Sequence, residues 1–518
     1  MKTSTYAPFA KPLYVMVKPV GAVCNLACDY CYYLEKANLY KDNPKHVMSD
    51  ELLEKFIDEY INSQTMPQVL FTWHGGETLM RPLSFYKKAM ELQKKYARGR
   101  TIDNCIQTNG TMLTDEWCEF FRENNWLVGV SIDGPQEFHD EYRKNKMGKP
   151  SFVKVMQGIN LLKKHGVEWN AMAVINDFNA DYPLDFYHFF KEIDCKYIQF
   201  APIVERILEH QDGRHLASLA ENQKGELADF SITPEQWGKF LCTLFDEWVK
   251  EDVGKYYIQI FDSTLANWVG EQPGICTMAK TCGHAGVMEF NGDVYSCDHF
   301  VFPEYKLGNI YSQTLVEMMH SERQHKFGNM KYQSLPTQCK ECDFLFACNG
   351  ECPKNRFSQT ADGEPGLNYL CKGYYQFFQH VAPYMDYMKN ELMNQRPPAN
   401  IMEALKNGDP DIEEMRTAYN QRRRFLMNAF REMGLECFEP YGAFYVFPCI
   451  KEFGMTSEEF ATRFLEEEKV AAVPGTAFGD SGEGYLRISY AYSLEKLKTA
   501  IGRLGHFVEK LRAEQKNK

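Results

Sequence analysis

The chain has 518 residues, of which 44% are hydrophobic, 25% charged and 14% aromatic. That composition excludes disorder throughout and, at roughly 150 residues per domain, leaves room for about three or four compact units. Lysine and arginine number 58 against 70 acidic residues, a net charge of -12, which removes the electrostatic basis for a nucleic-acid or anionic-membrane partner.

No run approaches the roughly 18 apolar residues that span a bilayer. Residues 1–18 have no signal-peptide core before Val15 and carry Lys2, Lys11 and Lys18. A cytoplasmic protein is expected. In a reducing compartment its 17 cysteines read as metal ligands or catalysts rather than disulfides.

From about residue 13 to 202, short apolar runs alternate with amphipathic helical segments, the texture of an α/β domain. Strands are predicted at 13–18, 69–73, 102–108, 127–132, 168–175 and 197–201, with helices between them such as 50–61 and 114–124. Six strands with regular crossovers suit a partial parallel barrel whose chemistry collects at the strands' C-terminal ends. Residues 276–371 hold eight cysteines with little periodicity and read as loops tied by metal. Around 394–400, Pro397 and Pro398 predict a stiff extended connector. Beyond it lies α+β texture: a charged helix around 411–433, strands near 443–448 and 485–490, and a closing helix from Ser493. The expected division is 1–230, 231–393, a linker at 394–400, and 401–518.

Directly after the first strand stand Cys24, Cys28 and Cys31, spaced C-x3-C-x2-C. Three thiolates hold three irons of a cubane cluster and leave the fourth open to a small-molecule ligand. A zinc site, which normally wants four closed ligands, is the competing reading, and no fourth Cys or His is near. The motif resembles the signature of the radical S-adenosylmethionine (radical SAM) superfamily. The strand ends that follow, His74-Gly75-Gly76-Glu77, Gln107-Thr108-Asn109-Gly110 and Ser131-Ile132-Asp133-Gly134, put polar groups and glycines on the same rim. Gly75, Gly76 and Glu77 resemble the segment that holds the methionine amino group. By resemblance Tyr30, Gly75, Gly76, Glu77, Ser131 and Arg143 contact S-adenosylmethionine, although Arg143 reads equally as a solvated helix-surface arginine.

The later cysteines run Cys276, Cys282, Cys297, then Cys339, Cys342, Cys348, Cys352, then Cys371. Eight thiolates complete two four-thiolate clusters, and spacing alone also allows Cys339 to Cys352 as one local set or a zinc ribbon at Cys339 and Cys342. The arrangement resembles the SPASM extension of radical SAM peptide-modifying enzymes, and most closely the anaerobic sulfatase-maturating enzymes. That resemblance implies Cys276, Cys282, Cys297 and Cys352 for one auxiliary cluster and Cys339, Cys342, Cys348 and Cys371 for the other, so three [4Fe–4S] clusters in all. It also implies Asp298 as general base, with a loop-capping aspartate as the plainer alternative. Cys105, Cys118, Cys195, Cys242, Cys437 and Cys449 read as small core residues.

The implied reaction oxidises a cysteine or serine within a C/S-x-P/A-x-R segment of an unfolded or nascent sulfatase to Cα-formylglycine, with an electron donor such as flavodoxin or ferredoxin. Maturation of a ribosomal peptide by a related enzyme is the alternative. Residues 443–448, 473–479 and 484–490 resemble the small C-terminal domain of class I pyridoxal-phosphate aminotransferases, with Arg487 in the carboxylate-binding place. The chain carries no large domain with a Schiff-base lysine, and Lys469 has no signature of one, so transamination by this chain alone is disfavoured. The expected fold is a partial (β/α)6 barrel, a loop-rich iron–sulfur extension, and a small α+β aminotransferase-like domain.

Overall fold

A computed structural model describes residues 12–41, 46–210, 213–216 and 225–517. The chain divides into two compact units, Met1–Met402 and Glu403–Lys518. In the first unit six strands, β1 (Tyr14–Lys18), β2 (Gln68–Trp73), β3 (Thr101–Thr108), β4 (Leu127–Ser131), β5 (Trp169–Ile175) and β6 (Tyr197–Pro202), pair in parallel in chain order. Helices lie between them: α1 (Asp50–Asn62), α2 (Leu83–Tyr96), α3 (Asp115–Glu123), α4 (Gln136–Tyr142), α5 (Phe152–His165) and α6 (Pro183–Glu192). After β6 come α7 (Pro234–Glu251) and α8 (Gln259–Val269). This is the α/β architecture the alternating texture predicts, with boundaries within one or two residues.

Local chemistry explains the crossovers. Ser49 and Thr114 accept the Leu52 and Trp117 amides to start α1 and α3, and Thr233 with Gln236 forms a reciprocal cap on α7. Each helix buries one apolar stripe, as Leu52, Leu53, Phe56, Ile57 and Tyr60 do on α1. The strand ends therefore gather on one rim.

The extension is loop-rich as expected but also carries regular elements: strands Ala285–Glu289, Asp293–Tyr295 and Lys306–Asn309 continue the sheet beyond β1, and helices Leu315–Met319 and Glu322–Gln333 follow. Ala285–Glu289 is buried on both faces, so it lacks the alternation that marks a strand with one wet face. It pairs with β1 in parallel, five residues in register, with Lys18 opposite Glu289. Gly292, at φ +87, makes the tight turn into Asp293–Tyr295.

The predicted extended connector is instead a tight turn between helices Cys371–Met393 and Asn400–Met433. Arg396 reaches back to Glu391 at 2.6 Å and Asn400 hydrogen-bonds the same carboxylate at 2.6 Å. That anchorage lets the following helix start eleven residues before the predicted 411.

In the second unit, Tyr445–Val446, Leu486–Ser489 and Val473–Pro474 form a three-stranded antiparallel sheet. Helices Ser457–Glu468 and Leu494–Lys516 bury Phe460, Phe464, Ile501 and Phe507 in one core with Leu426 and Phe430. No described helix is long and apolar enough to cross a membrane.

Candidate active site at the sheet's C-terminal rim

The cysteine loop after β1 is laced to its neighbours. Ala27 and Asp29 amides donate to the Lys144 and Tyr142 carbonyls at 2.8 and 3.1 Å, and Gly76 and Glu77 amides donate to Gly21 and Val23 carbonyls at 2.7 and 2.8 Å. A side chain at position 76 would place its Cβ 2.1 Å from the Val23 oxygen, so only glycine allows the β1 and β2 ends to meet. The Cys24, Cys28 and Cys31 thiols are half-buried and outside any disulfide, and they sit close enough for Cys31 to raise the cost of ionising the other two. Burial pushes Cys24 up to about 11 and Cys28 up to about 12. Thiolate ligation must therefore release protons.

Glu77 is fully buried, and its carboxylate accepts from the Thr108 hydroxyl and the Leu79 and Asn109 amides. It braces the β2 and β3 ends. Ser131 accepts from the Gln107 amide at 3.0 Å. Arg143 is not a solvated helix-surface residue: it is 7% exposed and grips Asp133 with two bonds of 2.8 and 2.9 Å. Tyr30 donates to the same carboxylate. Burial works to raise the Asp133 carboxyl, but the Arg143 guanidinium overrides it and holds the group below the usual range.

The eight later thiols fall into two neighbourhoods. Cys352 feels the charges of Cys297, Cys276 and Cys282, whereas Cys348 feels those of Cys371 and Cys339, and Cys371 those of Cys339 and Cys342. Among the described residues no three His, Cys, Asp or Glu side chains converge on a single metal ion. Three separated groups of thiols suit clusters, whose corners each take one thiolate, better than zinc at about 2.3 Å from four sulfurs. Two cations lie beside these thiols that sequence reasoning missed. Lys331, fully buried, donates to the Cys276 and Thr277 carbonyls, and Arg356 caps the Asn349 and Gly350 carbonyls.

Asp298 follows Cys297 in a short 3-10 turn and joins the two halves of the site. Tyr32 donates to its Oδ2 at 2.6 Å and Lys18 Nζ lies 2.5 Å from Oδ1. Against the raising effect of burial, the Lys18 ammonium holds this carboxyl well below its usual range. Burial pushes His74 and His299 down to about 4, so both rings are neutral near pH 7. His299 packs against Tyr32 with ring centroids 4.6 Å apart. Burial pushes Glu289 up to about 7, with Lys18 limiting the rise, and Tyr33 donates to it. Lys18, Tyr32, Tyr33 and Glu289 carry no motif that singles them out in the sequence. The available signal is a lysine closing an apolar strand.

Of the remaining cysteines, Cys118, Cys195 and Cys242 are buried, whereas Cys105, Cys437 and Cys449 are only half-buried. Lys469 caps the helix Ser457–Glu468 in a left-handed conformation and bonds the Glu466 carbonyl. Arg487 lies between the Tyr445 and Phe478 rings, 4.6 and 5.0 Å from their centroids.

A three-cysteine loop at the end of β1, facing a glycine cradle at the end of β2, defines a radical SAM enzyme. The Radical SAM superfamily model matches residues 19–190, the iron–sulfur cluster-binding domain SPASM matches 282–343, and the class I and II aminotransferase model matches 381–504. A serine-type anaerobic sulfatase-maturating enzyme of Bacteroides thetaiotaomicron is 91% identical over 413 residues, 80% of this chain and 100% of that protein. A cysteine-type enzyme of Clostridium perfringens is 32% identical over 74% of this chain and 99% of its own length. The solved structure of native anSMEcpe with bound AdoMet is 32% identical, with a TM-score of 0.65 over 73% of this chain and 100% of that one. The chain belongs to the anaerobic sulfatase-maturating enzymes, and it binds S-adenosylmethionine and iron–sulfur clusters. Its C-terminal segment is similar to a putative aminotransferase of Bacillus subtilis, 51% identical over 109 residues, which is only 28% of that protein.

Proposed function

We propose that this chain converts a serine in the C/S-x-P/A-x-R segment of an unfolded or nascent sulfatase to Cα-formylglycine in an anaerobic cytoplasm. Reduction would come from a flavodoxin- or ferredoxin-type donor. Serine is favoured over cysteine because the 91% identical relative is serine-type. Cys24, Cys28 and Cys31 hold the radical cluster. Cys276, Cys282, Cys297 and Cys352 hold one auxiliary [4Fe–4S] cluster, and Cys339, Cys342, Cys348 and Cys371 the other. Tyr30, Gly75, Gly76, Ser131 and Arg143 line the S-adenosylmethionine position, with Glu77 bracing its rim.

When bound, these groups supply a primary radical that takes a β-hydrogen from the substrate and a sink for the electron left behind. The protein's own residues manage the proton. The observation that carries this reading is Asp298, an ionised carboxylate with its two oxygens fixed by Lys18 and Tyr32 one residue from a cluster cysteine. It accepts the substrate hydroxyl proton as the carbon–oxygen double bond forms.

The test is anaerobic reconstitution with serine- and cysteine-type sulfatase peptides followed by mass spectrometry. Asp298→Asn should still form deoxyadenosine while formylglycine falls by about 10²–10⁴-fold, the range for a lost general base. Normal maturation by that variant overturns the base assignment. Turnover of the cysteine peptide alone overturns the serine preference.

A further inference from the structure

We infer that Lys18 is a positioning residue for the oxidation step: the sheet uses its side chain to aim the Asp298 carboxylate at the substrate. The inference rests on the reading of Asp298 as the base. Lys18 is fully buried at the end of β1, and its ammonium lies 2.5 Å from Asp298 Oδ1 and 3.3 Å from the centroid of the Tyr33 ring. A buried lysine is costly unless paired, and here carboxylate, aromatic face and the neighbouring Glu289 surround it.

The geometry explains why a lysine serves this place. Asp298 stands in the short turn Asp298–Phe300, whose backbone bonds run only from Phe300 to Cys297 and from Phe302 to Phe300, all within the same loop. Lys18, by contrast, ends a strand inside the sheet, paired in parallel over five residues with Ala285–Glu289 on one side and at Val17 with β2 on the other. Tyr32 hydrogen-bonds Oδ2 from the cysteine loop at 2.6 Å, and the Lys18 ammonium holds Oδ1 from the sheet as an ion pair at 2.5 Å. Two anchors from different elements define the carboxylate plane, which one anchor does not. Glu289 lies opposite Lys18 in register and is hydrogen-bonded by Tyr33, the ring over which the ammonium sits.

Misplacing a catalytic group by about 1 Å costs on the order of 10²-fold in rate. Lys18→Met keeps the length of the side chain and removes the anchor. The expected result is deoxyadenosine formation within about twofold of wild type, with formylglycine per deoxyadenosine reduced about 10²-fold and peptide KM little changed. Lys18→Arg, which retains a cation, should recover at least about tenfold of that loss. Iron content is measured for each variant, because a merely structural role would lower iron, deoxyadenosine and formylglycine together.

Wild-type coupling in Lys18→Met, or a parallel fall of both products, overturns the inference. If Lys18→Met does not fold, Lys18→Gln decides: impaired coupling with full iron and near-normal deoxyadenosine supports positioning, and wild-type coupling or a parallel fall of iron and both products refutes it. Asp298→Asn in the same assay separates the two readings. Uncoupling there but not in Lys18→Met removes only the Lys18 inference, whereas normal coupling in Asp298→Asn removes the base itself.

Discussion

Gly76→Ala tests whether close backbone approach, rather than the thiols alone, builds the radical site. The new Cβ would lie 2.1 Å from the Val23 oxygen, 2.5 Å from the Val23 carbonyl carbon and 2.7 Å from the Ala22 oxygen. Ordinary contact begins at 3.4 Å, so a backbone must shift by roughly 1.3 Å, far more than packed interiors absorb freely. The shift breaks the Gly76–Gly21 and Glu77–Val23 hydrogen bonds, each about 1 kcal/mol, and adds overpacking of about 1–3 kcal/mol. A local penalty of about 3–5 kcal/mol results. It falls on the segment that begins the cysteine loop.

The expected outcome is loss of deoxyadenosine formation and of the iron held by the first three cysteines. Iron analysis and product quantification after anaerobic reconstitution read both. Gly408→Ala is the control, because a Cβ added there would meet no atom within 4 Å and alanine suits a helix better by about 0.5–1 kcal/mol. Wild-type deoxyadenosine formation in Gly76→Ala would refute the reasoning.

Replacing Cys24, Cys28 and Cys31 together with alanine should abolish deoxyadenosine while leaving about two thirds of the iron, since two of three cubanes keep all their ligands. Complete iron loss would instead mean that the sites assemble as one. Glu289→Gln reports on the buried carboxyl opposite Lys18, whose folded value of about 7 exceeds the ordinary 4.5. The unfolded chain ionises first, so this group's contribution is intact below about pH 4.5 and is lost as pH rises through about 7, by about 3 kcal/mol. The wild-type-minus-variant stability difference should decline across that window in denaturant titrations, and a flat difference would count against the buried placement of Glu289.

The chemistry-bearing positions whose spacing is local can be read from the order of residues alone. Cys24, Cys28 and Cys31 lie within one loop, and the glycines of His74-Gly75-Gly76-Glu77 stand at a strand end, so neither needs long-range information to be read. The parallel order of β1 to β6 was likewise legible, because alternating strands and helices admit few other topologies. The strand Ala285–Glu289 was not: buried on both faces, it has no periodicity to mark it, and its pairing with β1 joins residues some 270 positions apart.

Tertiary packing alone brings Lys18 and Tyr32 onto Asp298, with Tyr33 and Glu289 paired beside them, and makes Arg143 a buried partner of Asp133 rather than a surface charge. A lysine's type and neighbours say nothing about whether its ammonium meets water or a carboxylate. That depends on which strand the sheet lays beside it, and so on contacts that form only when distant segments pack.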